Sequence, residues 1–224
     1  VMWLGLVSTL IAYAACKALY RRFHVVFLNP MITSLVALVL FLYFAHVSYA
    51  AYDASARWLT ALLGPATVAF AVPLHRHFPV LKAHWPEFLV SLTFGSATGI
   101  TGSVLLARLL RLNHAVVTSI APRSVTTPIA MDISQAIGGI PTLTAVFVIL
   151  TGITGVVVGP WLMRLLRLKS PVARGALFGM GSHGIGTARA FEYGTMEGTC
   201  SSLAMIVAAF ITLGLAPALV SALG

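Results

Sequence analysis

Arg123, Ser124, Thr126 and Thr127 lie between two prolines, Pro122 and Pro128, in an otherwise apolar neighbourhood. A guanidinium grips a carboxylate through two parallel N–H donors, and hydroxyls beside it supply further short donors. Each proline removes a backbone donor and collides with the preceding turn, so one regular helix cannot run through both. A helix restarting near Ser124 or Thr127 leaves unpaired amides and the positive end of its dipole at the break, an arrangement that favours anions. The plainer alternative is a kinked structural helix whose hydroxyls bond back to carbonyls one turn earlier. The fixed charge and three hydroxyls together favour a carboxylate site.

A second stretch, Gly181–Glu192, offers Ser182, His183 and Arg189 among the glycines Gly184 and Gly186. Its glycines suggest a broken helix whose polar groups face inward, opposite the first break. A phosphate loop is a poor reading, because no strand precedes the glycines and no Gly-Lys-Ser/Thr follows. Arg189 and Glu192 are three residues apart and pair if helical. His183 and Glu192 are the candidates for proton coupling, His183 because its charge changes near neutral pH. Adjacent Ser182 and His183 do not make a nucleophile–base pair, and no Gly-x-Ser-x-Gly elbow exists, so an enzyme is not expected. No residue cluster calls for a cofactor, and His75, His77 and His84 read as an interfacial group rather than a metal site. Asn29-Pro30 either caps a helix or offers an amide to the same ligand.

The elements that position these residues are membrane helices. Of 224 residues, 59% are hydrophobic and only 8% charged, where soluble domains carry about 25% charged residues. The expectation is an all-α, multi-pass protein of the bacterial cytoplasmic (inner) membrane, in a single domain over residues 1–224. Five segments are long enough to cross a hydrocarbon core, which takes about 20 residues: Val1–Tyr20, Leu28–Tyr49, Glu87–Ala107, Pro141–Met163 and Ser201–Leu223. Three more are interrupted: Leu59–Leu74, His114–Met131 and Gly175–Phe191. The net charge of +9 is spread over the ends of the apolar runs, where it anchors helices at the interface; a nucleic-acid partner is not expected. Cys16 and Cys200 read as packed thiols.

Gly64-Pro65-Ala66-Thr67-Val68 echoes Ala121-Pro122-Arg123-Ser124-Val125, each followed by a further proline (Pro73, Pro128), a helix-opening proline (Pro86, Pro141) and Leu-Leu-Arg-Leu (109–112, 165–168). This predicts an internal repeat of broken helix plus helix, about 59–112 and 115–168. Such repeats are the architecture of secondary transporters, with the ligand where broken helices meet. If the interrupted segments cross the membrane, the repeats are parallel. If they are hairpins, the repeats are inverted and the two Leu-Leu-Arg-Leu ends face opposite sides.

Leu28-Asn29-Pro30, Pro122–Ala130, Gly138-Gly139-Ile140-Pro141 and Ser182–Ala190 together resemble the signature stretches of the LrgB/CidB family, in order and through nearly the whole chain. The family often has lysine where this chain has Arg123, which keeps the charge and changes its geometry, and alanine or threonine-alanine where this chain has Gly181. The resemblance implies two rival functions. Bacterial members are named antiholin-like proteins that act with a small LrgA/CidA-type membrane partner to modulate murein hydrolase export and autolysis. Plant relatives that fuse both partner types carry glycolate and glycerate across a plastid membrane, and some bacterial pairs are linked to pyruvate. The residues themselves favour transport of a two- or three-carbon monocarboxylate, because a holin-like pore needs oligomerising spans rather than broken helices with a buried arginine. Arg123, Ser124, Thr126 and Thr127 are expected on one wall of the site, Ser182, His183 and Arg189 on the other, in a homo-oligomer embedded in lipid.

Overall fold

A computed structural model describes residues 3–23, 28–69 and 71–223. Val1, Met2 and Phe70, which fall in predicted segments, lie outside the described residues, as do the side chains of Leu63, Thr67 and Pro73. Among the described residues the secondary structure is all helix: α1 (Leu4–Phe23), α2 (Pro30–Phe44), α3 (Tyr49–Ala61), α4 (Leu63–Ala69), α5 (Ala71–Arg76), α6 (Phe78–Ala83), α7 (Trp85–Leu109), α8 (His114–Ile120), α9 (Thr127–Ala136), α10 (Pro141–Leu165), α11 (Pro171–Tyr193) and α12 (Thr195–Leu223). The chain divides into two compact units, Val1–Ala66 and Thr67–Gly224.

In the first unit α1 packs against α2 and α3. Gly5 allows the contact with α3: its amide donates to Ser55 Oγ (2.8 Å), and a Cβ there would strike the Tyr52 carbonyl. Only three described helices combine the length and apolarity to cross a bilayer, namely α7, α10 and α12. The predicted span at Leu28–Tyr49 is shorter than expected. α2 has 15 residues, about 22 Å of helix against a hydrocarbon core of about 30 Å, and the chain turns at His46 with φ 52°. α1 has 20 residues but carries Lys17, Arg21 and Arg22 in its last two turns.

The second unit is built on α7, α10 and α12. α7 and α10 are both 25 residues long and end in the same way. The amides of Leu112 and Leu168 reach back to the carbonyls of Ala107 and Met163 (both 3.0 Å), while Arg111 (φ 55°) and Arg167 (φ 50°) take the left-handed position between. That is the six-to-one closure usually completed by glycine; here cations occupy it, beside carbonyls whose partial negative charge favours them.

Each of these helices is followed by a hairpin rather than a crossing segment. After α8 the chain turns through residues 121–126 and α9 comes back alongside. The Thr144 hydroxyl in α10 donates to the Ser119 carbonyl at the end of α8 (2.9 Å) and meets the Ser134 hydroxyl near the end of α9 (2.6 Å), so both arms are at one level. α11 also doubles back, at the single residue His183 (φ 49°, ψ −129°). Gly186 lies so close to the Phe178 carbonyl that it has no room for a Cβ, and the rings of Phe178 and Tyr193 stack at 5.7 Å. Contacts from Gly159 to Phe178 and from Gly155 to Ser182 run α11 antiparallel to α10, and Arg174 reaches Glu197 at the start of α12 (3.8 Å). The α8–α9 hairpin therefore enters from the end where α7 finishes, and the α11 hairpin from the opposite end, where α10 finishes.

Candidate functional site

The two hairpin tips meet. The His183 ring lies against the backbone of Ser124 and close to Arg123. Arg123 extends between α7 and α10, its Nε donating to Ser103 Oγ (2.7 Å) and its Nη1 to Thr151 Oγ1 (3.2 Å). The guanidinium is half-buried and, among the described residues, no carboxylate pairs with it. Taking a cation out of water costs several kcal/mol unless a counter-charge is supplied, so the surroundings of Arg123 are complementary to an anion they do not themselves provide.

Two cavities converge on this cation. One, of about 700 Å³, has Arg123, Ser124, Thr151, Met180 and Gly181 in its lining and reaches out past Phe88 and Leu92 to His84 and Glu87. Glu87 is the single carboxylate on its lining; 16 residues of α7 separate it from Ser103, roughly 24 Å at helical rise, and it sits 3.7 Å from His84. The other, of about 420 Å³, is lined by Arg123, Thr151, Thr154, Gly155 and Ser182. Ser182 Oγ and His183 Nε2 are buried without a hydrogen-bond partner. Such groups are rare in folded proteins because each forfeits its hydration, and here they flank an unpaired arginine.

Backbone strain is concentrated at the same place. A positive φ is costly for a residue with a Cβ, of order 1–3 kcal/mol, and persists only where the surroundings impose it. Gly181 and Gly184 flank the turn, yet it is His183 that adopts the unfavourable geometry. The break is thus His183 itself, where glycines Gly184 and Gly186 were expected to make it; Gly186 instead serves the close approach to Phe178. In the other hairpin Pro122 is buried within the turn, while Pro128 opens α9, a position where the missing donor is no loss.

Four of the expected residues converge here: Arg123, Ser124, Ser182 and His183. Thr126 caps α9 through its backbone with its hydroxyl buried and unpartnered, but that side chain faces a different cavity, between Ile129, Met205 and Ala209. Thr127 is the first residue of α9. Arg189 and Glu192 do pair with each other, and Arg189 also covers the Tyr193 ring at 5.5 Å. Both lie on the returning arm of α11, towards its base rather than its tip. Asn29 belongs to the first unit, where its side chain accepts from Met31 N (2.9 Å) and caps α2.

Ser103 and Thr151, which hold the guanidinium, were not anticipated. A signal for them exists. Thr-Gly-Ile-Thr-Gly occurs twice, at 98–102 in α7 and at 151–155 in α10. Gly99 brings α7 against Ser124, and Gly155 brings α10 against Ser182. The repeated pentapeptide marks the level in each long helix where a hairpin tip rests.

Comparison with known proteins agrees with this pattern of residues. The sequence profile of the LrgB-like family matches residues 9–222. The chain belongs to the LrgB-like family. Within it, the protein named YwbG of Bacillus subtilis (strain 168) is 44% identical over 98% of this chain and 99% of its own. YxaC of the same organism is 36% identical over 91% and 88%. A relative from Bacillus mycoides (strain KBAB4) named antiholin-like protein LrgB is 31% identical over 96% and 94%. No solved structure matches the chain.

Proposed function

We propose that this LrgB-like protein moves a small monocarboxylate of the glycolate, glycerate, lactate or pyruvate class across the bacterial cytoplasmic membrane by alternating access. The observation that carries the reading is Arg123, held by Ser103 and Thr151 where the hairpin tips meet, with no carboxylate among the described residues to neutralise it. Its two remaining faces open to cavities on which Ser124 and Ser182 also lie. The substrate carboxylate takes the place of the missing counter-ion, with Ser182 Oγ and His183 Nε2, both unpartnered, completing its shell. α7 with its hairpin and α10 with its hairpin enter from opposite ends, and we read them as an inverted pair over about 85–136 and 141–193. Rocking one half against the other exposes the same arginine to each side in turn, as in transporters of repeated architecture.

A small LrgA/CidA-type membrane protein is proposed as the partner, and a homo-oligomer as the assembly. In this reading the protein performs no covalent chemistry. The test is uptake of labelled glycolate, glycerate, lactate and pyruvate into proteoliposomes, with and without the small partner. Saturable uptake of at least one acid, lost on Arg123→Ala at unchanged protein abundance, is the expected result. The names of the 31% identical relatives favour a second reading, modulation of murein hydrolase export and autolysis. If none of the acids moves while deletion alters autolysis directly, that second reading replaces transport.

A further inference from the structure

A separate cluster of charge lies where α10 ends and the two arms of α11 begin and finish. Arg164, Arg167, Lys169, Arg174, Arg189 and Tyr193 surround a cavity of about 530 Å³, floored by Pro160, Met163 and Leu168. Two of the five cations have carboxylates: Arg174 reaches Glu197 (3.8 Å) and Arg189 holds Glu192. Arg164, Arg167 and Lys169 have none among the described residues and are exposed at the helix end. Plain interfacial anchoring accounts for single cations at helix ends. It does not account for five converging on one concave surface.

The neighbouring surface says what the anion is attached to. Val146, Leu150, Val157, Trp161 and Leu165 form a stripe along α10, all between 39% and 60% exposed. The stripe runs up to Arg164 and flanks the basic cavity, with Trp161 one turn below it. An amphipathic indole at that level marks the boundary between hydrocarbon and headgroups. A phosphate in the cavity therefore sits at the head of an exposed apolar stripe along which acyl chains can lie. We infer that this cavity is a binding site for the headgroup of an anionic phospholipid, its phosphate held by Arg164, Arg167 and Lys169 and its chains lying along the α10 stripe. Basic pockets between membrane helices bind such headgroups. The site is distinct from Arg123, and it stands whether or not the protein carries a carboxylate.

The experiment is native mass spectrometry of the protein purified in a neutral detergent and titrated with phosphatidylglycerol or phosphatidylcholine. Wild type should retain phosphatidylglycerol in preference to phosphatidylcholine. Arg164→Gln/Arg167→Gln/Lys169→Gln should weaken that binding at least about tenfold, whereas Arg108→Gln/Arg111→Gln, at the other end of the unit, should leave it intact. Arg164→Lys/Arg167→Lys keeps the charge and should retain most of the binding, which guards against a triple variant that simply misfolds. Equal loss in the triple variant and the Arg108/Arg111 control would mean diffuse charge and overturn the site. Displacement of phosphatidylglycerol by inorganic phosphate alone, at matched concentration, would overturn the lipid assignment in favour of a free anion.

Discussion

At the scale of single residues, Arg123 and His183 do different work. Arg123 contributes charge at a fixed place, and its two hydroxyl partners make its orientation specific. Arg123→Lys keeps the charge and loses the fork; since a hydrogen bond to a charged group is worth about 1.5–3 kcal/mol, proteoliposome uptake should fall about tenfold to a hundredfold, and Arg123→Ala should abolish it. His183 contributes a ring and a strained turn. Comparing His183→Ala with His183→Gly separates the two: both lose the ring, but glycine accepts φ 49° without a Cβ clash. The glycine variant should be more stable than the alanine variant by about 1–2 kcal/mol, read as a higher unfolding temperature, the reverse of their order in an ordinary helix. Uptake should be impaired in both. Of this scale the sequence was largely legible. Arginine, serine and histidine in an apolar chain declare themselves by type, but the turn geometry at His183 did not, because flanking glycines are the usual owners of positive φ.

Among elements, glycine and hydroxyl contacts decide how the hairpins are held. A Cβ on Gly155 would meet Ser182 and the Gly181 carbonyl, and one on Gly179 would meet the Ser201 carbonyl and Ala204. Gly155→Ala and Gly179→Ala should each destabilise by about 1–3 kcal/mol through overpacking. Gly214, within α12 and with nothing near its missing Cβ, should instead gain up to about 1 kcal/mol as alanine. Thermal unfolding in detergent reads all three. The α8–α9 hairpin depends on hydroxyls instead: Thr144→Val strands the Ser119 carbonyl and Ser134 hydroxyl, and should cost about 1–2 kcal/mol. The broken segments were visible in the sequence from their prolines and glycines. Their direction was not, because a crossing segment and a hairpin carry the same local signals; only contacts such as Ser119–Thr144–Ser134 and Gly186–Phe178 distinguish them.

For the whole molecule, charge orients the second unit. Arg164, Arg167, Lys169, Arg174 and Arg189 gather at the end where α10 finishes, against Arg108 and Arg111 where α7 finishes. Positive residues tend to remain on the cytoplasmic side, so in the cytoplasmic-membrane setting proposed above the base of the α11 hairpin is expected to face the cytoplasm. In a background lacking Cys16 and Cys200, Ser170→Cys should be labelled by an impermeant maleimide only from the cytoplasmic side, and His114→Cys only from the outside. The opposite pattern would reverse the orientation. In the sequence the positive charge is spread over the ends of the apolar runs, and which charges share an end depends on hairpins that sequence alone leaves undirected.

The shortness of α8 and α9 bears on how the protein is made. With 7 and 10 residues, about 10 and 15 Å of helix, neither arm is long enough to enter a bilayer as a span of its own. As the chain emerges, α7 can partition into lipid at once, but residues 110–140 carry Arg111, Arg123 and Asp132 and have no hydrocarbon-length segment. Their partners come from α10, which supplies Thr151 for Arg123 and Thr144 for the two serines, so they are expected to wait at the surface until it emerges. Insertion of the α8–α9 hairpin is then expected to come late, after α10. A nascent chain halted before α10 should expose Arg123 to protease, and one halted after α10 should protect it.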